Sequence, residues 1–178
     1  MLKLLTGLLA VFLVSCAAPG PRTFRLQSAA VTLPEDWVEG VSPIPKSFVA
    51  IRDHGDPFEL FTITGRPNPT PGAQMSRENW SRMFKNLSSV VVSRMGGKEH
   101  VWNVKSVKKW TEWNQPYPRY HERYTFDMTF DGRPVKGSLS YCLLITDRTV
   151  YSIALRESQE AQAADPGRFA RMMGGLRE

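Results

Sequence analysis

Cysteine is almost missing from this 178-residue chain, which has only Cys16 and Cys142. A disulfide-dense scaffold and a four-thiolate zinc site both need more thiols than that, so neither is available. Histidine is nearly as scarce. His54, His100 and His121 have no histidine, cysteine or carboxylate three or four residues away, so no helical pair of metal ligands is present. The densest polar cluster, Asp53-His54-Gly55-Asp56, lacks the twelve-residue calcium-loop pattern and reads as a turn capped by its own aspartates. There is no Gly-x-Ser-x-Gly elbow, no phosphate-binding loop and no dinucleotide glycine pattern. No metal, no cofactor and no catalytic residues are therefore expected, and the chain is read as a non-enzyme. Internal repeats and low-complexity tracts are also missing, as is any apolar run of the roughly 20 residues that span a bilayer.

What is present is an ordinary globular balance, with 42% hydrophobic and 22% charged residues. The formal charge of +6 and the pI near 9.5 suit an acidic partner or anionic headgroups. The longest apolar run, Leu4 to Val14, is 11 residues long and follows Lys3. It is too short to span and reads as the core of a secretion signal. Leu13-Val14-Ser15-Cys16 then resembles the lipobox of bacterial lipoproteins. That resemblance implies cleavage before Cys16 and a lipid anchor on its sulfur, with the bilayer as one partner. Ala17 is not the aspartate that often retains lipoproteins on the inner membrane, so the periplasmic face of the outer membrane is expected. A domain exported there does not meet nucleic acid. Residues 16–28, with Pro19, Gly20 and Pro21, read as a lipidated tether, and residues 29–178 as a single domain.

Within that domain, Ala30 to Leu33 is a strand candidate, stopped by a turn at Pro34-Glu35-Asp36 before the apolar anchor Trp37. Phe48 to Arg52 and Phe58 to Thr64 are two further strands, and Gly65 to Gly72 is a proline-rich loop. Ser76 to Val91 is an amphipathic helix capped by Ser76, with Trp80, Met83, Phe84, Leu87 and Val91 on one stripe. His100 to Trp113 is an extended basic and aromatic stretch. Arg119 to Phe130, Val135 to Thr146 and Val150 to Leu155 form a meander, the first two joined by an Asp131-Gly132 hairpin turn. The alternation in Arg119–Phe130 predicts burial on one face only, through Tyr120, Tyr124, Phe126, Met128 and Phe130. Glu122 stands out on that apolar face and is expected to pair with Arg119, Arg123 or Lys136. Val135 to Thr146 is apolar on both faces in its second half, so Cys142 is expected in the core. A last helix opens at Asp165-Pro166, with Asp165 as cap, and buries Phe169, Met172, Met173 and Leu176.

Strands, helix, hairpin strands and closing helix predict an α+β fold, an antiparallel β-sheet with helices packed on it. The Leu33–Trp37 turn, the Ser76 helix, the Arg119–Leu155 meander and the Phe169 helix together resemble the PsbP/DcrB-like superfamily. The resemblance implies a sandwich of that type and a binding or assembly role, and it supplies no catalytic residues. The candidate binding residues are Trp110, Trp113, Lys108 and Lys109, because tryptophan and lysine side by side suit a hot spot facing an acidic or anionic surface. The alternative is a plain sheet strand whose tryptophans face the core and whose lysines guard an edge. The expected function is a membrane-anchored envelope module that binds an unidentified envelope protein, with secretion-associated or immunity roles among the options. The competing expectation is a carrier of a lipid or other hydrophobic ligand between the sheet and a helix, lined by the Tyr120–Phe130 aromatic face.

Overall fold

The computed structural model describes residues 20–26, 29–42, 45–53, 56, 58–69, 77–96, 100–113 and 117–176. Its centre is the meander β7 (Arg119–Phe130), β8 (Arg133–Ile145) and β9 (Thr149–Ser158). The β7–β8 turn is forced by its two central residues. Asp131 and Gly132 both have positive φ, 51° and 73°, which matches the twist of the strands they join. Strands β3 (Trp37–Gly40), β4 (Ser47–Arg52) and β5 (Leu60–Pro67) add on the β9 side, and β6 (Val101–Glu112) adds beyond β7. The order is β3-β4-β5-β9-β8-β7-β6, antiparallel at every pairing. A separate two-stranded ribbon pairs β1 (Arg22–Leu26) with β2 (Ala29–Leu33). Helix α1 (Arg77–Gly96) connects β5 to β6, and α2 (Gln159–Ala164) and α3 (Arg168–Gly174) follow β9. The fold is α+β, an antiparallel sheet with helices packed against it.

The sheet is covered on both faces. Directly paired residues on adjacent strands share a face, so the register separates two cores. Phe48, Phe61, Ile63, Cys142, Leu144, Tyr151, Ile153 and Leu155 point toward the β1–β2 ribbon and α3, which contribute Val31, Leu33, Phe169 and Met172. On the opposite face Tyr120, Leu143 and Val150 receive Trp80 and Phe84 of α1. The helical stripe therefore packs as its spacing predicts: Trp80 and Phe84 are buried, and Met83 and Leu87 are half-buried against the same cluster. Gly137 is needed beside this core, because a Cβ there would sit 2.3 Å from the Phe126 ring.

Several expectations change. Arg22–Leu26, inside the span read as tether, is a strand whose Phe24 ring lies 4.8 Å from Phe48. β3 and α2 were not anticipated; α2 is capped by Ser158, whose hydroxyl accepts from the Ala161 amide at 3.0 Å. β5 continues to Pro67, into the stretch read as loop. Strand β7 is not buried on one face only. His121 is buried because α3 covers that end of the sheet, with Phe169 edge-on to its ring. Asp165 does not cap α3 with its side chain; Gly167 occupies the cap position, and Asp165 instead accepts from Arg171 and lies 3.5 Å from Arg168. The cysteine reading stands: Cys142 is buried, and burial pushes its thiol up to about 12, so it is held protonated. His54 and Gly55 of the Asp53–Asp56 cluster lie outside the described residues; beyond them the Asp56 carboxylate accepts from the Phe58 amide at 2.9 Å. Ser76 and residues 1–19, with the whole leader and Cys16, lie outside the described residues.

Candidate functional site

Helix α1 is seated on the sheet by stacked rings. Phe84 lies 3.9 Å from Tyr120 with planes 2° apart, and Trp80 meets Phe84 at 4.6 Å and Trp113 edge-on at 5.8 Å. The helix does not close against β6. Between them runs an open groove of about 370 Å³, lined chiefly by Trp80, Phe84, Lys85, Lys109, Trp110 and Trp113. Its floor is aromatic and its two rims each carry a lysine, one from the helix and one from the strand. Neither lysine makes an ion pair among the described residues.

Of the four residues singled out from sequence, Trp110, Trp113 and Lys109 meet in this groove. Lys108 does not line it; its Nζ lies 5.2 Å from the Trp110 ring centre. The choice between core and surface divides along each ring. Trp110 stacks on His121 at 4.8 Å with planes 5° apart, on the face of β6 turned away from α1, and Trp113 packs on Trp80; both stay half-buried. Lysines also guard an edge, since β6 ends the sheet and carries Lys105, Lys108 and Lys109. Other groove residues were not singled out: Lys85 was placed off the apolar stripe, and Trp80 and Phe84 were read as core only. The cue was a lysine one residue after a core phenylalanine on a helix flank.

Behind the groove lies an unusual carboxylate. Glu122 is fully buried, and among the described residues no arginine or lysine pairs with it, contrary to the expectation of Arg119, Arg123 or Lys136. Ser88 of α1, Ser106 of β6 and Tyr120 of β7 donate their hydroxyls to it. The Tyr124 phenol also faces it, without a well-formed hydrogen bond. Burial pushes this carboxyl up, but the hydroxyl donors outweigh it and hold the group below the usual carboxylate range. The phenols of Tyr120 and Tyr124 are pushed up by burial and by the adjacent Glu122. Three elements, among them both walls of the groove, thus meet on one anion.

The opposite face carries charged pairs instead. Arg168 Nη1 lies 3.2 Å from both Glu59 and Glu157, and Glu59 reaches Arg52 at 3.2 Å, which in turn holds Asp36 at 2.6 Å. Burial pushes Glu157 up to about 7, against the pull of Arg168. Next to this network is a pocket of about 530 Å³ where Leu33, Trp37 and Met172 meet Arg52, Arg168 and Arg171. The aromatic face expected to line a ligand cavity is occupied by packing: Tyr124 and Phe126 are buried, and Tyr120 is covered by Phe84. Among the described residues no three His, Cys, Asp or Glu side chains gather where a metal would sit, and no helix is long and apolar enough to cross a membrane.

No protein-family model matches this chain, and no curated protein matches it. Solved structures do. The solution structure of the cyanobacterial PsbP protein CyanoP from Synechocystis sp. PCC 6803 aligns over 92% of this chain and 95% of its own, with a TM-score of 0.67 at 8% identity. The fold is PsbP-like. The crystal structure of PA94 from Pseudomonas aeruginosa, a protein of unknown function named a putative regulator, aligns over 89% of this chain and 97% of its own at 14% identity, with a TM-score of 0.47. The PsbP-like architecture places α1 and β6 side by side, and the groove between them is built from this chain's own tryptophans and lysines.

Proposed function

We propose that this chain is a non-catalytic protein-binding module of the bacterial cell envelope, held on the membrane by lipid on Cys16 and taking its partner in the α1–β6 groove. The observation that carries the reading is the groove itself, where half-buried Trp113 lies beside Lys85 and Lys109, neither of them ion-paired among the described residues. Aromatic edges with adaptable charge are what protein hot spots are made of, and such a site needs no reacting group. The one described thiol, Cys142, is buried and held protonated, which suits a structural role. The net charge of +6 favours an acidic partner over a basic one. The apolar run before Cys16 and the lipobox supply the expected address, the periplasmic face of the outer membrane.

Photo-crosslinking from position 109 in intact cells tests the binding reading. A defined protein adduct should form and should fade when Lys85→Glu is added on the facing helix, an exposed change that leaves the melting temperature within a few degrees. A Trp110→Ala and Trp113→Ala variant that keeps the same adducts and only melts lower would end the proposal. Mass spectrometry of the native N-terminus tests the anchor separately: an unmodified Cys16 thiol refutes it.

A further inference from the structure

Strand β6 ends the sheet, and its outer edge has no neighbouring strand among the described residues. Its pairing with β7 is interrupted between Trp102 and Lys105 and again between Ser106 and Lys108. Bulges of this kind twist an edge and spoil it as a template. Past the second one the register is unbroken from Lys108 to Glu112, paired with Arg123 through Arg119. That regular stretch contains Lys109, Trp110 and Thr111, all three of which line the groove. The part of the edge able to accept another strand is therefore the part beside the aromatic floor.

We infer that the partner enters as an extended acidic segment that pairs with the outer edge of Lys108–Glu112 as an eighth strand of the main sheet; this rests on the groove being a partner surface. In such a strand, main-chain hydrogen bonds supply affinity and alternate side chains supply specificity. Side chains on one face enter the groove between Trp80, Trp113 and Lys85. Those on the other face run toward Lys108 and the Trp110–His121 stack. The occupant is acidic because the edge carries Lys105, Lys108 and Lys109 and the facing helix adds Lys85, against Glu112 on the strand and Glu78 on the helix, the latter held by Arg82.

The probe is a dye-labelled peptide of alternating glutamate and valine, measured by anisotropy against the full domain, with amide hydrogen exchange read along β6. Binding is expected, with slowed exchange in Lys108–Glu112, and a proline at the peptide's centre should weaken it roughly tenfold by removing an N–H donor. Lys85→Glu with Lys109→Glu should weaken binding by roughly tenfold or more. A peptide that binds equally well with proline, or without slowing β6 exchange, overturns strand addition. So do phosphatidylglycerol vesicles that bind at this edge where the peptide fails, or a dimer that protects β6 without peptide. A partner crosslinked through position 109 that leaves β6 exchange unchanged also ends this inference but leaves the groove reading standing; loss of the crosslink result itself ends both.

Discussion

The two faces of the sheet each bury a carboxylate, and they keep it in opposite ways. Under α1, Glu122 is held by neutral hydroxyls from three elements and sits below the usual carboxylate range. Under α3, Glu157 shares Arg168 with Glu59 and is pushed up to about 7. Several oriented O–H dipoles around a single charge stabilise the ionised form with no second charge to desolvate. Burial of Glu157 outweighs the pull of Arg168, Glu59 beside it adds to the rise, and this carboxyl answers by holding its proton. The α1 face is thus built around a fixed anion, and the α3 face around a carboxyl that burial drives toward its neutral form.

The largest break is on the α3 side. Arg168→Ala should cost about 1–3 kcal/mol in urea unfolding, because it removes the donor shared by two buried carboxyl groups. Glu59 keeps Arg52 at 3.2 Å, so the loss falls mainly on Glu157. The same arginine change in a Glu157→Gln background should therefore cost markedly less. Equal costs in both backgrounds would mean that Arg168 acts through packing of α3, not through charge.

A second test separates the faces by pH. Glu157 binds its proton more tightly in the fold than in the unfolded chain, so its contribution is fully present below about 4.5 and is lost as pH rises through about 7. At 1.36 kcal/mol per pH unit between those values the ceiling is about 3 kcal/mol. Glu122 is displaced the other way: its contribution is present above 4.5 and is lost as pH falls through its lower folded value. His121, kept neutral by burial, loses stability as pH falls below about 6.5 and so opposes Glu157 in the same window. Melting curves of the parent and Glu157→Gln should converge toward pH 4.5 only after the amide's own cost is subtracted. The diagnostic is that their difference changes between pH 4.5 and 7.5 and is flat above that. A pH-independent difference would remove the raised carboxyl from the account.

How far these faces were legible in the sequence follows the same divide. The meander, its Asp131-Gly132 turn, the α1 stripe and the buried Cys142 all come from local alternation and spacing, and all hold. Strand β1 was missed because Arg22–Leu26 mixes charges with apolar residues and is only half-covered on one side, by its ribbon partner and Phe48, which periodicity does not see. In the groove, tryptophan beside lysine was a usable cue for Lys109, Trp110 and Trp113. Lys85 arrives from a helix 24 residues earlier in the chain, and nothing local to β6 announces it. Glu122 was visible as an anomaly, but its partners were misjudged. Charge suggests arginine or lysine, whereas the donors are serines 16 and 34 residues away whose hydroxyls carry no such signal.

The smallest expected effect tests the fixed-anion picture most directly. Ser88→Ala and Ser106→Ala each remove one donor, and each should cost about 1 kcal/mol, since Tyr120 and the other serine remain to hold the charge. The double variant should cost more than the two together, because Glu122 is then left with Tyr120 as its one well-formed donor and must partly take up a proton. Ser88 belongs to α1 and Ser106 to β6, so this coupling also measures whether the anion ties the two walls of the groove to the floor beneath them. Strict additivity in a double-mutant cycle would mean that the two hydroxyls act independently. The groove's shape would then owe nothing to the buried charge, and the stacked Phe84 and Tyr120 rings alone would have to set the distance between α1 and β6.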